Sequence, residues 1–143
     1  MLGVFSALEI SASGLGAERV RMNTIASNLA NVHTTRTAEG GPFKRLDPVF
    51  EAVGLQAGGE PYSADSGVAL VNVARIQQDP RPGTMVYEPG NPDANGQGYV
   101  EYPNVNAVEE MVNMITASRA YEAGITSIDS VKDMAHSALA ISK

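Results

Sequence analysis

Residues 104–143 read NVNAVEEMVNMITASRAYEAGITSIDSVKDMAHSALAISK, and the rest of the chain can be interpreted around this segment. Its apolar and small side chains recur at alternating steps of three and four residues, which places them along one face of a helix. These positions are Met111, Met114, Ser118, Tyr121, Ile125, Ile128, Ala135 and Leu139, with Lys132 as the one charged member. The spacing is that of a coiled-coil seam, so we expect this face to pack against another helix.

The predicted helix has a marked start and is long. Pro103 ends the preceding extended structure, and Asn106 can cap the helix with Glu109 three residues later. After that point the segment contains no proline and a single glycine, Gly124. A helix over 105–141 would be roughly 55 Å long, whereas a compact chain of this length is roughly 37 Å across. The helix should therefore protrude from its own domain, and its apolar face requires a partner.

A matching pattern occupies the N-terminal region. Its members are Phe5, Leu8, Ala12, Leu15, Met22, Ala26 and Leu29, with Arg19 as the one charged member. Four of them, Leu8, Leu15, Met22 and Leu29, lie seven residues apart. An ordinary amphipathic helix on a local core would explain one such pattern. Two patterns at opposite ends of the chain favour an antiparallel pair of terminal helices that carries the middle of the chain as an appendage.

The middle of the chain, 33–103, has a different composition. It holds all eight prolines and ten of the fourteen glycines, which excludes long helices there. β-branched and aromatic runs predict strands at Val68–Ile76, Thr84–Tyr87 and Tyr99–Tyr102. The segment Gly54–Gly67 has the composition of a flexible loop.

These patterns predict an α+β fold with four parts. Residues 1–32 form an N-terminal helix and residues 33–67 an extended linker or loop. Residues 68–103 form a small antiparallel β unit, and residues 104–143 form the C-terminal helix. The two long helices are expected to pair as an antiparallel, coiled-coil-like bundle.

Composition excludes several classes of protein. The chain has no cysteine, so a disulfide framework, a zinc–thiolate site and a cysteine nucleophile are impossible. Its net charge is −6, which argues against nucleic acid as the main ligand. The first residues lack a positively charged region, and Glu9 interrupts their short apolar run. We therefore expect no cleaved signal peptide and no membrane span, so any export would need another route.

Residues that could carry chemistry are few, and none forms a convincing set. Gly14–Arg19 begins like a dinucleotide-binding motif but lies inside a helical pattern, and Asp93–Gly96 lacks the glutamate that completes a calcium loop. His33 and His136 lie far apart in sequence and have no nucleophile partner. Glu109–Glu110 is explained by the helix dipole and the cap. We expect no catalytic residue, cofactor, metal or small-molecule substrate, and hence no enzyme.

A cluster of asparagines lies at the end of the first predicted helix. Asn23, Asn28 and Asn31 recur near one helix face and precede a polar run, Val32–Thr37. One interpretation is a frayed helix end, where asparagine caps carbonyl groups. The other is an ordered polar joint between the helix and the middle of the chain.

Arg21–Thr37, RMNTIASNLANVHTTRT, and Gly40–Arg45, GGPFKR, closely resemble the N-terminal signature of flagellar basal-body rod proteins. The motif residues that match are Asn28, Asn31, Thr34, Thr35, Arg36, Gly40, Gly41 and Pro42. Tyr99–Asn106 and Glu109–Ala123 extend the resemblance to the C-terminal half, and the combination is similar to the proximal-rod members of that family.

The resemblance implies a structural subunit of the flagellar drive shaft. Such a subunit would be exported unfolded by the flagellar type III apparatus, without a cleaved signal, and would polymerise in the periplasm. Its partners would be itself, other rod proteins, the membrane ring and its adaptor below, and the distal rod above.

Within such a rod, the terminal helices would form the inner tube through non-closing, head-to-tail contacts, with the β unit outside. The subunit-interface residues would be Phe5, Leu8, Leu15, Met22, Leu29, Met111, Met114, Tyr121, Ile125, Ile128 and Leu139.

Two alternatives stay open at the level of sequence. One is another rod or hook axial protein, although such proteins usually carry a larger middle domain than this chain has. The other is a small ligand-binding or enzymatic β module with helical arms. A deep pocket lined by convergent titratable groups would favour the second alternative.

Overall fold

The structure is a computed structural model that describes residues 3–54, 56–57, 60–61 and 69–141. Along the chain the elements are α1 (Val4–Ala30), β1 (Leu46–Gly54), β2 (Gln56–Ala57), β3 (Glu60–Pro61), β4 (Ala69–Gln78), β5 (Thr84–Tyr87), β6 (Tyr99–Tyr102) and α2 (Ala107–Ile141). Two long terminal helices with small antiparallel sheets between them confirm the predicted α+β class.

The start of α2 is capped as the sequence predicts. The Oδ1 atom of Asn106 accepts hydrogen bonds from the backbone N–H groups of Val108 at 3.0 Å and Glu109 at 3.3 Å. A side-chain acceptor at this position satisfies donors that have no partner inside the helix. Glu109 and Glu110 then supply negative charge to the positive end of the helix dipole.

The two helices pack against each other in antiparallel orientation. Leu15 approaches Gly124 so closely that a Cβ atom added there would lie 2.7 Å from Leu15 Cδ2. Further along α1, Asn28 contacts Glu110, so residue numbers increase along α1 while those of the contacting residues decrease along α2. Ala117, fully buried, also lies in the part of α2 between Glu110 and Gly124. The small residues of α2 therefore allow the close approach that the antiparallel pair requires.

Within the described residues, the middle of the chain forms three two-stranded antiparallel sheets. β1 pairs with β4 from Leu46 opposite Gln78 to Gly54 opposite Ala69, with a register irregularity after Val49. β5 pairs with β6, and β2 with β3. The predicted bounds of β5 and β6 are confirmed, and the strand predicted from Val68 begins, within the described residues, at Ala69.

Sequence analysis missed β1. Leu46–Gly54 lies in the segment expected to be a linker or loop, but it forms a nine-residue strand on β4. Pro48 hides the strand in the sequence, because proline cannot donate to a sheet ladder and is confined to edges. In a two-stranded sheet every strand has a free edge, so Pro48 is tolerated. The predicted loop Gly54–Gly67 lies partly outside the described residues, and the four-part division of the chain stays a prediction.

The face of α2 turned toward α1 only partly matches the predicted seam. Buried and half-buried residues of α2 fall at Ala107, Glu110, Asn113, Met114, Ala117, Ser118, Tyr121, Gly124, Ile128, Val131 and Ala135. Met114, Ser118, Tyr121, Ile128 and Ala135 were predicted, whereas Met111, Ile125, Lys132 and Leu139 of the predicted seam are exposed. Ile125 is 42% exposed. The contact is rotated because small residues, rather than the larger ones beside them, let the helix backbones approach.

The core of the subunit is small. Among the described residues, the buried apolar side chains are Ala17, Ile25, Val100 and Ala117. At about 25 cal/mol per Å² of buried apolar area, so few side chains provide little driving force for two helices of 27 and 35 residues. Helix formation in α1 and α2 therefore depends on packing that the single chain does not complete.

This small core predicts a poorly helical monomer. In dilute solution, circular dichroism of the purified full chain should show far less helix than α1 and α2 together contain. Raising the concentration of trimethylamine N-oxide, which favours burial, should increase the helical signal. A dilute monomer with the full signal of both helices would contradict this expectation.

Candidate functional site

Asn28, at the end of α1, forms a hydrogen-bonded joint with the start of β1. Its side-chain amide acts as a strand partner for Leu46, because Nδ2 donates to Leu46 O at 2.9 Å and Oδ1 accepts from Leu46 N at 2.9 Å. The second Nδ2 hydrogen is donated to Glu110 Oε2 at 3.0 Å. Asn28 is 0% exposed, and these three hydrogen bonds give its side-chain oxygen and nitrogen the partners that burial requires.

Glu110 is the carboxylate at the centre of this joint. It is 1% exposed, and its Oε1 atom accepts a hydrogen bond from Arg45 Nε at 2.8 Å. Burial lowers the pKa of Arg45, but the hydrogen bond and charge of Glu110, with a contribution from Asp47, outweigh this effect, and the pKa is raised. A buried carboxylate is stable only with such partners. Glu110 thus connects α2 to both α1 and β1.

Asn104 extends the joint to the connections around the sheets. Its Oδ1 atom accepts from the backbone N–H of Arg45 at 2.8 Å, while Nδ2 donates to the carbonyl oxygens of Asp79 and Arg81. The hydrogen bonds from Arg81 lower the pKa of the Asp79 carboxyl group to about 2. We call the set Asn28, Arg45, Leu46, Asn104 and Glu110 the polar joint.

The motif residues after α1 continue the ordered structure. Asn31 closes the helix by donating from Nδ2 to Ser27 O, and its Oδ1 accepts from the Thr34 hydroxyl. The Thr35 hydroxyl donates to Asp93 Oδ2 at 2.8 Å, and Arg36 forms an ion pair with the same carboxylate at 3.6 Å. These bonds tie the segment after α1 to the turn between β5 and β6.

A glycine turn completes the motif. Gly40 and Gly41 have φ values of 87° and 76°, in the left-handed region that favours glycine. The turn brings the chain back so that Phe43 N donates to Thr34 O at 2.9 Å and Thr37 N donates to Gly41 O at 2.9 Å. Pro42, the last motif residue, is half-buried beside this turn.

The hypothesis of an ordered polar joint is therefore confirmed for Asn28. Asn31 caps the Ser27 carbonyl group at an ordered helix end, so the expectation of fraying is wrong, and Asn23 is exposed. The interpretation of Glu110 as only a dipole and cap residue was also wrong, because its carboxylate is buried among specific partners. One signal was available: Glu110 lies four residues before Met114, on the same helix face. An acidic residue in an apolar stripe indicates a buried partner.

The predicted interface residues divide into two groups within the subunit. Phe5 is 86% exposed, and Met111, Ile125 and Leu139 are also exposed. The others are half-buried, and they are Leu8, Leu15, Met22, Leu29, Met114, Tyr121 and Ile128. The structure thus brings part of the set into the subunit and leaves part to solvent. Their assignment to contacts between subunits stays a prediction.

The described residues offer little for catalysis or ligand chemistry. No cluster of histidine, aspartate and glutamate that could hold a metal ion occurs among them. His33 packs edge-on against Tyr102, with ring centroids 6.3 Å apart. Among the residues that the structure describes, neither helix has an apolar stretch long enough to cross a membrane.

Comparisons with known proteins agree on one family. A family model described as "Flagella basal body rod protein" matches residues 8–36, and one described as "Flagellar basal body rod FlgEFG protein C-terminal" matches residues 97–141. The flagellar basal-body rod protein FlgC of Borreliella burgdorferi is 45% identical over 98% of both chains. The FlgC proteins of Aquifex aeolicus and Bacillus subtilis are 47% and 41% identical, over 94% and 97% of this chain and 93% and 98% of theirs.

The polar joint generates a test of its contribution to stability. Glu110→Gln keeps the shape of the side chain but leaves the half-buried Arg45 side chain with Asp47 as its remaining ion-pair partner, which should reduce the free energy of unfolding by about 2 kcal/mol. The measurement is the trimethylamine N-oxide concentration at which helix forms, followed by circular dichroism. Glu109→Gln is the matched control, because Glu109 is exposed, and it should shift the midpoint little. Equal midpoints for the two variants would contradict the role of Glu110.

Proposed function

The chain belongs to the FlgC family of flagellar basal-body rod proteins, and we propose that its two terminal helices are the elements through which it polymerises. The protein is a structural subunit of the proximal rod of the bacterial flagellar basal body, which spans the periplasm. It is not an enzyme, and it assembles with other flagellar rod proteins. The proposal concerns how it does so.

The exposed apolar surface of the helices carries this proposal. Large apolar side chains with more than a third of their surface exposed occur along α2 at Val108, Met111, Val112, Ile115, Ile125, Met134 and Leu139, and on α1 at Val4 and Phe5. Val108 is 71% exposed. Exposed large apolar side chains in this number on one helix are typical of contacts with other protein. A rod built through the helices would cover it and supply the packing energy that the single chain lacks.

The geometry of the pair supports the same proposal. Because Leu15 lies beside Gly124, the first residue of α1 is opposite about position 135 of α2. The remaining turns of α2, up to Ile141, extend past the start of α1. A projecting helix end that carries an exposed Leu139 is suited to contact the next subunit along an open, head-to-tail assembly.

The polar joint has a mechanical role in this proposal. It links α1, α2 and β1 through charge-assisted hydrogen bonds, of which that from Asn28 is buried and that from Arg45 is partly buried. Such bonds are shorter and stronger than neutral ones and fix orientation. The joint would hold the β sheets in a fixed direction relative to the helices, so that torque applied to the helical tube turns the whole subunit.

The place of the subunit in the proximal rod implies further partners. We propose contacts with the membrane ring and its adaptor at the rod base, and with the distal rod above. We also propose that the flagellar type III apparatus exports the chain in an unfolded state, which a subunit with a small core permits.

The polymerisation role is tested by Ile125→Asp. Ile125 is exposed in the subunit, so the substitution spares the helix pair, but burying an unpaired carboxylate in a subunit contact should reduce the number of rods about tenfold or more. Export should be unchanged. The measurements are the amount of secreted protein and the number of rods in isolated basal bodies from a strain that lacks its own copy of the gene.

Two control variants sharpen this test. Ser130→Asp adds the same charge at an exposed position on another side of α2, and Gln56→Glu changes charge in β2. Both should build rods. Normal rods from Ile125→Asp would show that this position of the helix does not take part in polymerisation.

A further inference from the structure

A groove of about 410 Å³ lies between α1, α2 and the β1–β4 sheet. Small residues of the helices and two exposed apolar residues of the sheet line most of it, namely Gly14, Ala17, Ala120 and Gly124, with Phe50 and Val71. The groove is open because the glycine and alanine residues that line it have no large side chain to fill it. The groove therefore has the shape and the apolar lining to receive side chains from another helix.

Glu18 gives this groove a specific chemical requirement. Its Oε1 atom lies 3.7 Å from Arg21 Nη1, but its Oε2 atom is buried and has no hydrogen-bond partner among the described residues. The Glu18 side chain as a whole is 25% exposed, so its carboxylate lies at the edge of the groove rather than fully inside the subunit. When another protein fills the groove, that protein must supply the donor, because an unsatisfied buried oxygen is strongly unfavourable.

A stripe on α2 has the complementary chemistry. Val108, Val112 and Ile115 are exposed, and Arg119 follows them on the same line at steps of four, three and four residues. At 100° per residue, this stripe lies on the side of α2 opposite the face turned toward α1. Arg119 makes no ion pair within the described part of the chain. The stripe therefore presents apolar side chains followed by a cation to a neighbour.

We propose that the groove receives the Val108–Arg119 stripe of a second copy of this chain, with the incoming Arg119 guanidinium pairing with the Glu18 carboxylate. This inference rests on the proposed polymerisation through the helices and names one contact within it. Groove and stripe are different surfaces of one subunit, so the contact is head-to-tail and can propagate without closing.

The opposite charges of Glu18 and Arg119 support a second copy as the occupant, and helix geometry then sets the register of the contact. Ser11 and Glu18 line the groove seven residues apart on α1, and Val112 and Arg119 are also seven residues apart on α2. Both pairs therefore span about 10 Å along a helix. When Arg119 lies at Glu18 and the incoming helix runs parallel to α1, Val112 lies at Ser11 and Ile115 lies over Gly14.

Disulfide cross-linking tests this register on a clean background, because the chain has no cysteine. The variant carries Ser11→Cys and Val112→Cys. Within one subunit these positions are far apart, since position 11 lies opposite about position 128 of α2, roughly 24 Å along the helix from position 112. A disulfide requires Cα atoms within about 7 Å, so any bond must join two copies. Oxidised rods should yield a covalent dimer, and a control with Ser11→Cys and Gln97→Cys should not.

Charge exchange tests the Glu18–Arg119 pair independently. Glu18→Arg and Arg119→Glu should each reduce the number of rods about tenfold or more, as expected when one partner of a buried charge pair is replaced. The variant with both substitutions should recover most of the rods. Arg21→Gln removes only the contact within the subunit and should build normal rods.

The outcomes separate this contact from the proposed function. Rods that contain the 11/112 variant but yield no dimer overturn the contact, and leave polymerisation through the helices standing. If the 11/112 variant builds no rods, the charge-exchange variants of Glu18 and Arg119 test the contact instead. Normal rods from either single reversal, or a double variant no better than the single ones, also overturn the contact.

Discussion

The buried carboxylate of Glu110 is the constraint on which the arrangement of this chain depends. It accepts hydrogen bonds from Asn28 on α1 and from Arg45, the residue before β1, so one side chain sets the relation of three elements. The arrangement is demanding, because removing Arg45 leaves the buried carboxylate without its counter-charge, and removing Asn28 deprives its Oε2 atom of a hydrogen bond. A subunit that transmits torque benefits from such a joint, since its hydrogen bonds specify direction, whereas apolar contacts can slide.

The apolar contacts of the subunit are weak by comparison. The helix pair packs through small residues such as Ala117 and Gly124, and its larger side chains, including Met111 and Ile125, stay exposed. The chain thus specifies its own geometry with polar bonds and leaves large apolar side chains exposed. Under the proposed polymerisation through the helices, the final packing would be completed only in the rod.

The sequence predicted those features that local chemistry determines. The cap at the start of α2 followed from Asn106, the antiparallel pairing of the helices from the three-four spacing, and β5 and β6 from their β-branched and aromatic residues. β1 was missed because its pairing with β4 is non-local and Pro48 weakens its local signal. The rotation of the α2 face and the burial of Glu110 were missed for a related reason. Two neighbouring stripes of α2 could face α1, and the shape of α1 decides between them. Periodicity in the sequence carries no information about that shape.

The most direct test of this account is a structure of the assembled rod by electron cryomicroscopy. The account predicts that α1 and α2 form the inner tube, that Met111 and Ile125 are buried between subunits, and that the hydrogen bonds of Asn28, Arg45 and Glu110 are unchanged. A rod in which the β sheets make the main contacts between subunits, with Met111 and Ile125 still exposed to solvent, would contradict it.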